Sequence, residues 1–289
     1  MDRQANVPAV ESAEFAVELD GHRLAGEALG EGTPIVLLHG VTATRSYVVH
    51  GSKVLARSGY RQLSYDARGH GRSDPAPEAG GYTYPEMVAD LDSVVAAQIG
   101  EGPVVLAGHS MGAHTAVAYA LEHGERLAAL IVIGPVYMGF MDEEAVAGWD
   151  RLADGLERGG VDGFMEAFDR NLDPRWRETV LRFTRQRMLE HRHPAAVARA
   201  LREVARSAPF EGMAELEFVD LPALVVASRD VADPGHPYAV AATYAASLPE
   251  ARLISEEEGD SPLSWHGGRL AREIAAFCAA PAVATRLEG

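Results

Sequence analysis

Short apolar runs recur along the chain, each followed by a longer stretch with helical spacing. The runs read PIVLLHG (34–40), RQLSYDARG (61–69), GPVVLAGHS (102–110), LAALIVIG (127–134) and LPALVVASRD (221–230), and ARLISEE (251–257) closes the series. Between them, apolar residues three and four apart fill 84–99, 111–123 and 238–248. Strands that are apolar throughout must be covered on both faces, and the intervening helices supply that cover. The pattern predicts an α/β chain: a mostly parallel central sheet with helices on both faces. An antiparallel pair precedes it, because EFAVELDG and HRLAGEAL meet at Asp20-Gly21, a good hairpin turn.

One interval breaks the alternation. No strand-like run occurs from Val136 to Leu216, whereas 173–191 and 195–207 are amphipathic with helical period. So long an excursion between parallel strands predicts a helical cap over 136–216, seated on a core made of 1–135 and 217–289. Tyr137, Phe140, Trp149, Phe164 and Phe168 give the cap an apolar character and point to an apolar pocket.

Composition narrows the partners. A formal net charge of −16 argues against nucleic acid, since phosphate binding needs clustered Lys and Arg. No stretch has the length of a membrane span, and MDRQANVPAV is too polar for a signal peptide. Cys278 is the lone cysteine and has no internal disulfide partner. A cytoplasmic protein acting on a small molecule is expected. His191 and His193 lack a surrounding Cys or carboxylate cluster, so they read as solvated cap surface and no metal is expected. No cofactor is implied, and the oligomeric state is not encoded in any motif.

Ligands of open α/β sheets bind beyond the carboxyl ends of the strands. There the chain carries His39-Gly40-Val41, the segment 66–71, His109-Ser110-Met111 and Arg229-Asp230. His39, Gly40 and His109 are thereby candidates for substrate contact. Gly108-His109-Ser110-Met111-Gly112 is a G-x-S-x-G placed after a strand and before a helix. Its glycines permit a turn sharp enough to present Ser110 at a helix N-terminus, where free N–H groups can meet a developing negative charge.

With His39-Gly40, DARGHGRS (66–73) and this elbow, the chain resembles the α/β-hydrolase family over nearly its whole length. The resemblance implies that Ser110 is a nucleophile and that the N–H groups of Val41 and Met111 form an oxyanion hole. His39 would order that loop, and His70 would knit two loops together. Asp230, after the strand LPALVVAS, matches the family's usual acid position, with Asp233 as the rival.

The family's base is a histidine near Gly-x-Gly-His, commonly seventeen residues before a closing Phe. Counting back from Phe277 reaches Asp260. A carboxylate there lacks imidazole's near-neutral pKa. Two histidines compete for the role. His236, in DPGHP, reads as the N-cap of a helix beginning at Pro237; His266 follows Asp260 by six residues. A third possibility is that no histidine base operates. The expected activity is hydrolysis of an ester or related acyl bond in a small, largely apolar substrate, through a Ser110 acyl-enzyme. The alternative is a ligand-binding member with impaired catalysis, or a non-hydrolytic cyclase or lyase on the same fold.

Overall fold

The computed structural model describes residues 10–77, 80–140, 143–170, 172–230, 232–257 and 266–288. Its strands are β1 (Ser12–Leu19), β2 (His22–Leu29), β3 (Thr33–Leu38), β4 (Tyr60–Tyr65), β5 (Val104–His109), β6 (Leu127–Ile133), β7 (Ala223–Ala227) and β8 (Ala251–Ser255). They form one eight-stranded sheet in the order β1-β2-β4-β3-β5-β6-β7-β8. β1 and β2 pair antiparallel, as do β2 and β4; every other pair is parallel. The α/β architecture expected from the alternating runs is the one found.

The helices are α1 (Val54–Arg57), α2 (Tyr84–Gln98), α3 (Met111–His123), α4 (Glu143–Phe168), α5 (Arg177–Met188), α6 (Pro194–Val204), α7 (Tyr238–Ser247), α8 (Gly267–Cys278) and α9 (Pro281–Glu288). Successive side chains of a strand point to opposite faces, so each inner strand feeds two cores. In β5, Leu106 packs with α2, α3 and α7 residues such as Leu91, Val117 and Tyr244. Its neighbours Val105 and Ala107 pack with Ile274 and Phe277 of α8 on the opposite face. Cys278 belongs to that second core, where burial pushes its thiol up to about 12. Among the described residues, no helix is long and apolar enough to cross a membrane.

α4, α5 and α6 fill the interval between β6 and β7, and their Phe164, Met188, Val197 and Leu201 share an apolar cluster with Val41, Tyr82 and Met111 of the sheet side. α4 is broken at Gly160, which takes a positive φ of 58°. Polar contacts tie these helices to the loops of the sheet. Glu203 accepts from the Gly80 and Tyr82 amides, and Ser207 accepts from the Tyr84 amide. At the end of α5, Glu190 accepts from the Thr44 and Tyr47 hydroxyls, each at 2.7 Å. His191 takes the Gly71 amide on Nδ1 and sets Nε2 against the Thr42 carbonyl. That corrects the reading of His191 as solvated surface. It is 7% exposed, because its partners are backbone groups of two distant loops that only the fold brings to it.

Beneath the sheet's antiparallel edge lies a buried charge network. Arg68 donates to both Asp90 oxygens at 2.7 Å, and His22 meets Oδ1 of the same carboxylate at 3.1 Å. Asp90 is 2% exposed and Arg68 4%. A guanidinium and a carboxylate are stable together here because each supplies the other's lost water.

Candidate active site

β5 delivers Ser110 to the sheet's carboxyl edge and α3 starts at the next residue. Ser110 takes φ 53° and ψ −116°, a region an L side chain seldom occupies. The turn closes because Gly108 and Gly112 carry no side chain. A Cβ on Gly108 would stand 2.1 Å from the Gly112 carbonyl oxygen, and one on Gly112 2.2 Å from that of Leu38. Ser110 N–H donates to the Ile133 carbonyl, which fixes the elbow against β6. Ser110 is 8% exposed yet opens on a cavity. Val41, Met111, His114, Tyr137, Trp149 and Leu201 are among the residues lining it. Core loops form one side and the α4–α6 segment the other.

The histidines around this cavity divide by their partners. His39 accepts the Ala67 amide on Nε2 and so carries its proton on Nδ1, facing the Gly40 carbonyl at 2.8 Å. Burial, aided by His70, lowers its pKa to about 3. It holds the loop after β3 to the loop after β4. His70 lies between the Arg68 and Val41 carbonyls, and its pKa is lowered by burial. His114 takes the Val136 and Tyr137 amides on Nε2 and meets the Tyr84 hydroxyl on Nδ1. Burial brings it down to about 3 as well.

His109 and His236 are neighbours, with ring centroids 4.8 Å apart. His236 also packs on Gly134, where an added Cβ would stand 3.3 Å from its ring. Gly134 follows Ile133, the acceptor of the Ser110 amide, so His236 lies beside the elbow. Its Nδ1 meets both oxygens of Asp233, at 2.8 and 2.9 Å. Burial would raise Asp233, but His236, His109 and Arg187 together outweigh it and hold the carboxyl below its ordinary range. His109 is lowered by burial and by His236.

Two expectations change here. Asp230 turns back on its own loop and accepts the Ala232 amide at 2.8 Å, so the carboxylate facing His236 is that of Asp233. The turn Asp233-Pro234-Gly235-His236 brings the imidazole back onto the third residue before it, a short-range contact that overrides family spacing. Pro237, not His236, is the N-cap of α7, which begins one residue later than expected. His266 is exposed at the N-cap of α8, with Gly267 against the Val49 carbonyl. Asp260 lies outside the described residues. Among the described residues, no group of His, Cys, Asp and Glu has the arrangement of a metal site.

The model of the alpha/beta hydrolase fold matches residues 33–230. The chain belongs to the α/β-hydrolase family. The non-heme haloperoxidase of Rhodococcus erythropolis is 32% identical over 154 residues, covering 53% of each chain. The sn-1-specific diacylglycerol lipase of Danio rerio is 37% identical over 105 residues, 36% of this chain and 32% of that protein. These matches span about a third to a half of the relatives' length. Among solved structures, the thermophilic esterase of Thermogutta terrifontis superposes with a TM-score of 0.75 at 23% identity. That match covers 92% of this α/β hydrolase and 97% of the esterase. The enol-lactonase of Burkholderia xenovorans gives 0.68 at 21% identity, over 96% and 100%. Both structures share the fold.

Proposed function

We propose that this α/β hydrolase cleaves an ester or related acyl bond in a small, largely apolar substrate, with Ser110 as nucleophile. The observation that carries the reading is the strained Ser110, opening on an apolar cavity beside a hydrogen-bonded His236–Asp233 pair. Asp233 occupies Nδ1 and keeps the proton there, leaving Nε2 as the basic nitrogen. Ser110 Oγ attacks the acyl carbon as its proton passes to Nε2. The carbonyl oxygen gains the negative charge, and the N–H groups of Val41 and Met111 receive it. Met111 opens α3, where the first amides of a helix have no partner within it. The protonated imidazole then gives its proton to the departing alcohol. Water repeats the sequence on the acyl-enzyme and restores Ser110.

His109 supports this assignment by staying neutral, since a second positive ring 4.8 Å away would oppose protonation of His236. The esterase and lipase among the chain's relatives and fold neighbours agree with ester chemistry. The segment 136–216 acts as the cap that closes the cavity and selects the acyl group. A fluorophosphonate should add one probe mass to the peptide holding Ser110, and Ser110→Ala should lose both label and turnover of p-nitrophenyl esters. An unlabelled Ser110, under conditions that modify a known serine esterase, would leave the binding or non-hydrolytic alternative.

A further inference from the structure

Tyr84 carries a hydroxyl hydrogen that the fold does not use. Backbone amides can only donate, and those of Val136 and Tyr137 approach His114 Nε2 at 3.0 and 3.2 Å. Nε2 is therefore bare, and the neutral ring carries its hydrogen on Nδ1. Nδ1 lies 2.9 Å from the Tyr84 hydroxyl oxygen and must donate to it. The hydroxyl is left with its own hydrogen to place. Among the described residues, no acceptor takes it. Burial, aided by Tyr137, raises the phenol above its ordinary range, so it keeps that hydrogen at neutral pH.

This donor belongs to the wall of the Ser110 cavity. Tyr84 and His114 both line it, and Tyr84 is 4% exposed. The Tyr84 ring meets that of His114 edge-on at 5.8 Å, and its amide donates to Ser207 Oγ at 2.9 Å, so both ends of the residue are held. His114 N–H donates to the Ser110 carbonyl, which sets the two residues one helical turn apart, roughly 5 Å along the axis. Around this donor the wall is mainly apolar, with Val41, Met111, Val136 and Leu201. An alkyl chain filling that space would leave the hydroxyl without an acceptor, whereas an oxygen would pair with it.

We propose that Tyr84 donates a hydrogen bond to an oxygen on the acyl arm of the substrate, a few bonds beyond the scissile carbon, so that the compound cleaved is an oxo-acyl ester and not a plain alkyl one. That the oxygen belongs to an acyl arm rests on the hydrolytic reading, in which the insert selects the acyl group. That a donor awaits an oxygen rests on the His114 tautomer alone.

The test compares ketone esters with branched alkyl esters of the same shape: 4-nitrophenyl 4-oxopentanoate against the 4-methylpentanoate, and the 5-oxohexanoate against the 5-methylhexanoate. The ratio of kcat/KM, ketone to alkyl, should fall roughly 5- to 50-fold in Tyr84→Phe for at least one pair. Intrinsic ester reactivity cancels when that ratio is compared between the two enzymes. A residue that only held His114 in place would lower both members of a pair alike and leave the ratio fixed. Should Tyr84→Phe fail to fold, the wild type decides. Its kcat/KM, divided by the rate constant of alkaline hydrolysis, should favour a ketone over its alkyl partner, and a preference for alkyl in both pairs overturns the donor. An arm without turnover titrates Ser110→Ala, and the same variant carrying Tyr84→Phe, with methyl 4-oxopentanoate and methyl 5-oxohexanoate, followed by NMR. Tyr84-dependent binding of either, with no ester cleaved by the wild type, would sink the hydrolase reading and sustain the donor. Ester cleavage with both ratios unmoved overturns the donor and leaves the hydrolase reading standing. Absence of both cleavage and Tyr84-dependent binding overturns the donor too.

Discussion

Asp233→Asn and Asp230→Asn should separate two carboxylates that stand three residues apart. In the wild type, Asp233 places oxygens 2.8 and 2.9 Å from His236 Nδ1, whereas Asp230 Oδ1 serves the Ala232 amide at 2.8 Å. An asparagine at 233 keeps the shape and loses the charge that stabilises a protonated imidazole. Its amide nitrogen can also donate to Nδ1, which moves the proton to Nε2 and removes the base. In a buried triad that exchange costs roughly four powers of ten in kcat. The Asp233 side chain is 44% exposed, so water replaces part of the lost interaction and the drop should be roughly 10²- to 10⁴-fold. An asparagine at 230 still offers an oxygen to the Ala232 amide, and kcat should fall less than about tenfold. Hydrolysis of p-nitrophenyl acetate and the rate of fluorophosphonate labelling measure both, with melting temperature as the control for folding. If Asp230→Asn is the more damaging substitution at matched stability, the assignment of Asp233 is wrong.

Four further outcomes follow from the same contacts. His236→Ala should lower kcat on p-nitrophenyl acetate by several powers of ten and His266→Ala should change it little; equal rates for both variants and the wild type would remove His236 as base. Trp149→Ala enlarges the cavity wall and should raise the ratio of kcat/KM for octanoyl over acetyl esters, while a fixed ratio would make the segment scaffold only. Asp90→Asn leaves Arg68 with Glu86 as its remaining carboxylate and should destabilise the fold by about 1.5–3 kcal/mol in urea titrations, a cost that a surface pair would not show. His39, His114 and His191 have folded pKa values of about 3, below the 6.5 of a free imidazole, so the unfolded chain binds protons that the folded chain refuses. Stability should therefore fall as pH drops below 6.5 towards 3, by up to about 1.4 kcal/mol per pH unit for each ring, and a flat urea midpoint over that window would contradict it.

The sheet was legible because burial on two faces leaves a plain mark: runs such as LAALIVIG are apolar at every position. The elbow was legible too, since Gly108 and Gly112 are required by approaches of about 2 Å that no other residue permits. The acid was harder to read. Spacing favoured Asp230, but which carboxylate reaches an imidazole depends on how the turn at Pro234-Gly235 folds, and spacing does not carry that. The start of α7 slipped by one residue for a similar reason, Pro237 being compatible with N-cap and first-turn positions alike. His191 left no trace. Its environment is made by backbone groups more than a hundred residues away, in loops after β3 and β4, and an amphipathic pattern along α5 does not distinguish a ring that is solvated from one that is clamped.

The clamp at the end of α5 bears on how such a chain could be re-engineered. Glu190 and His191 grip Thr44, Tyr47, Thr42 and Gly71, all of them outside the 136–216 insert. A chimera that exchanged only the insert with a relative's would arrive without its docking points, and the loop bearing Val41 would lose the struts that set its height over Ser110. With the insert selecting the acyl group as proposed, exchanging specificity would then disturb the chemistry as well. The natural cassette is discontinuous: it comprises the insert together with residues 42–47 and the turn at Gly71, and those pieces should travel together.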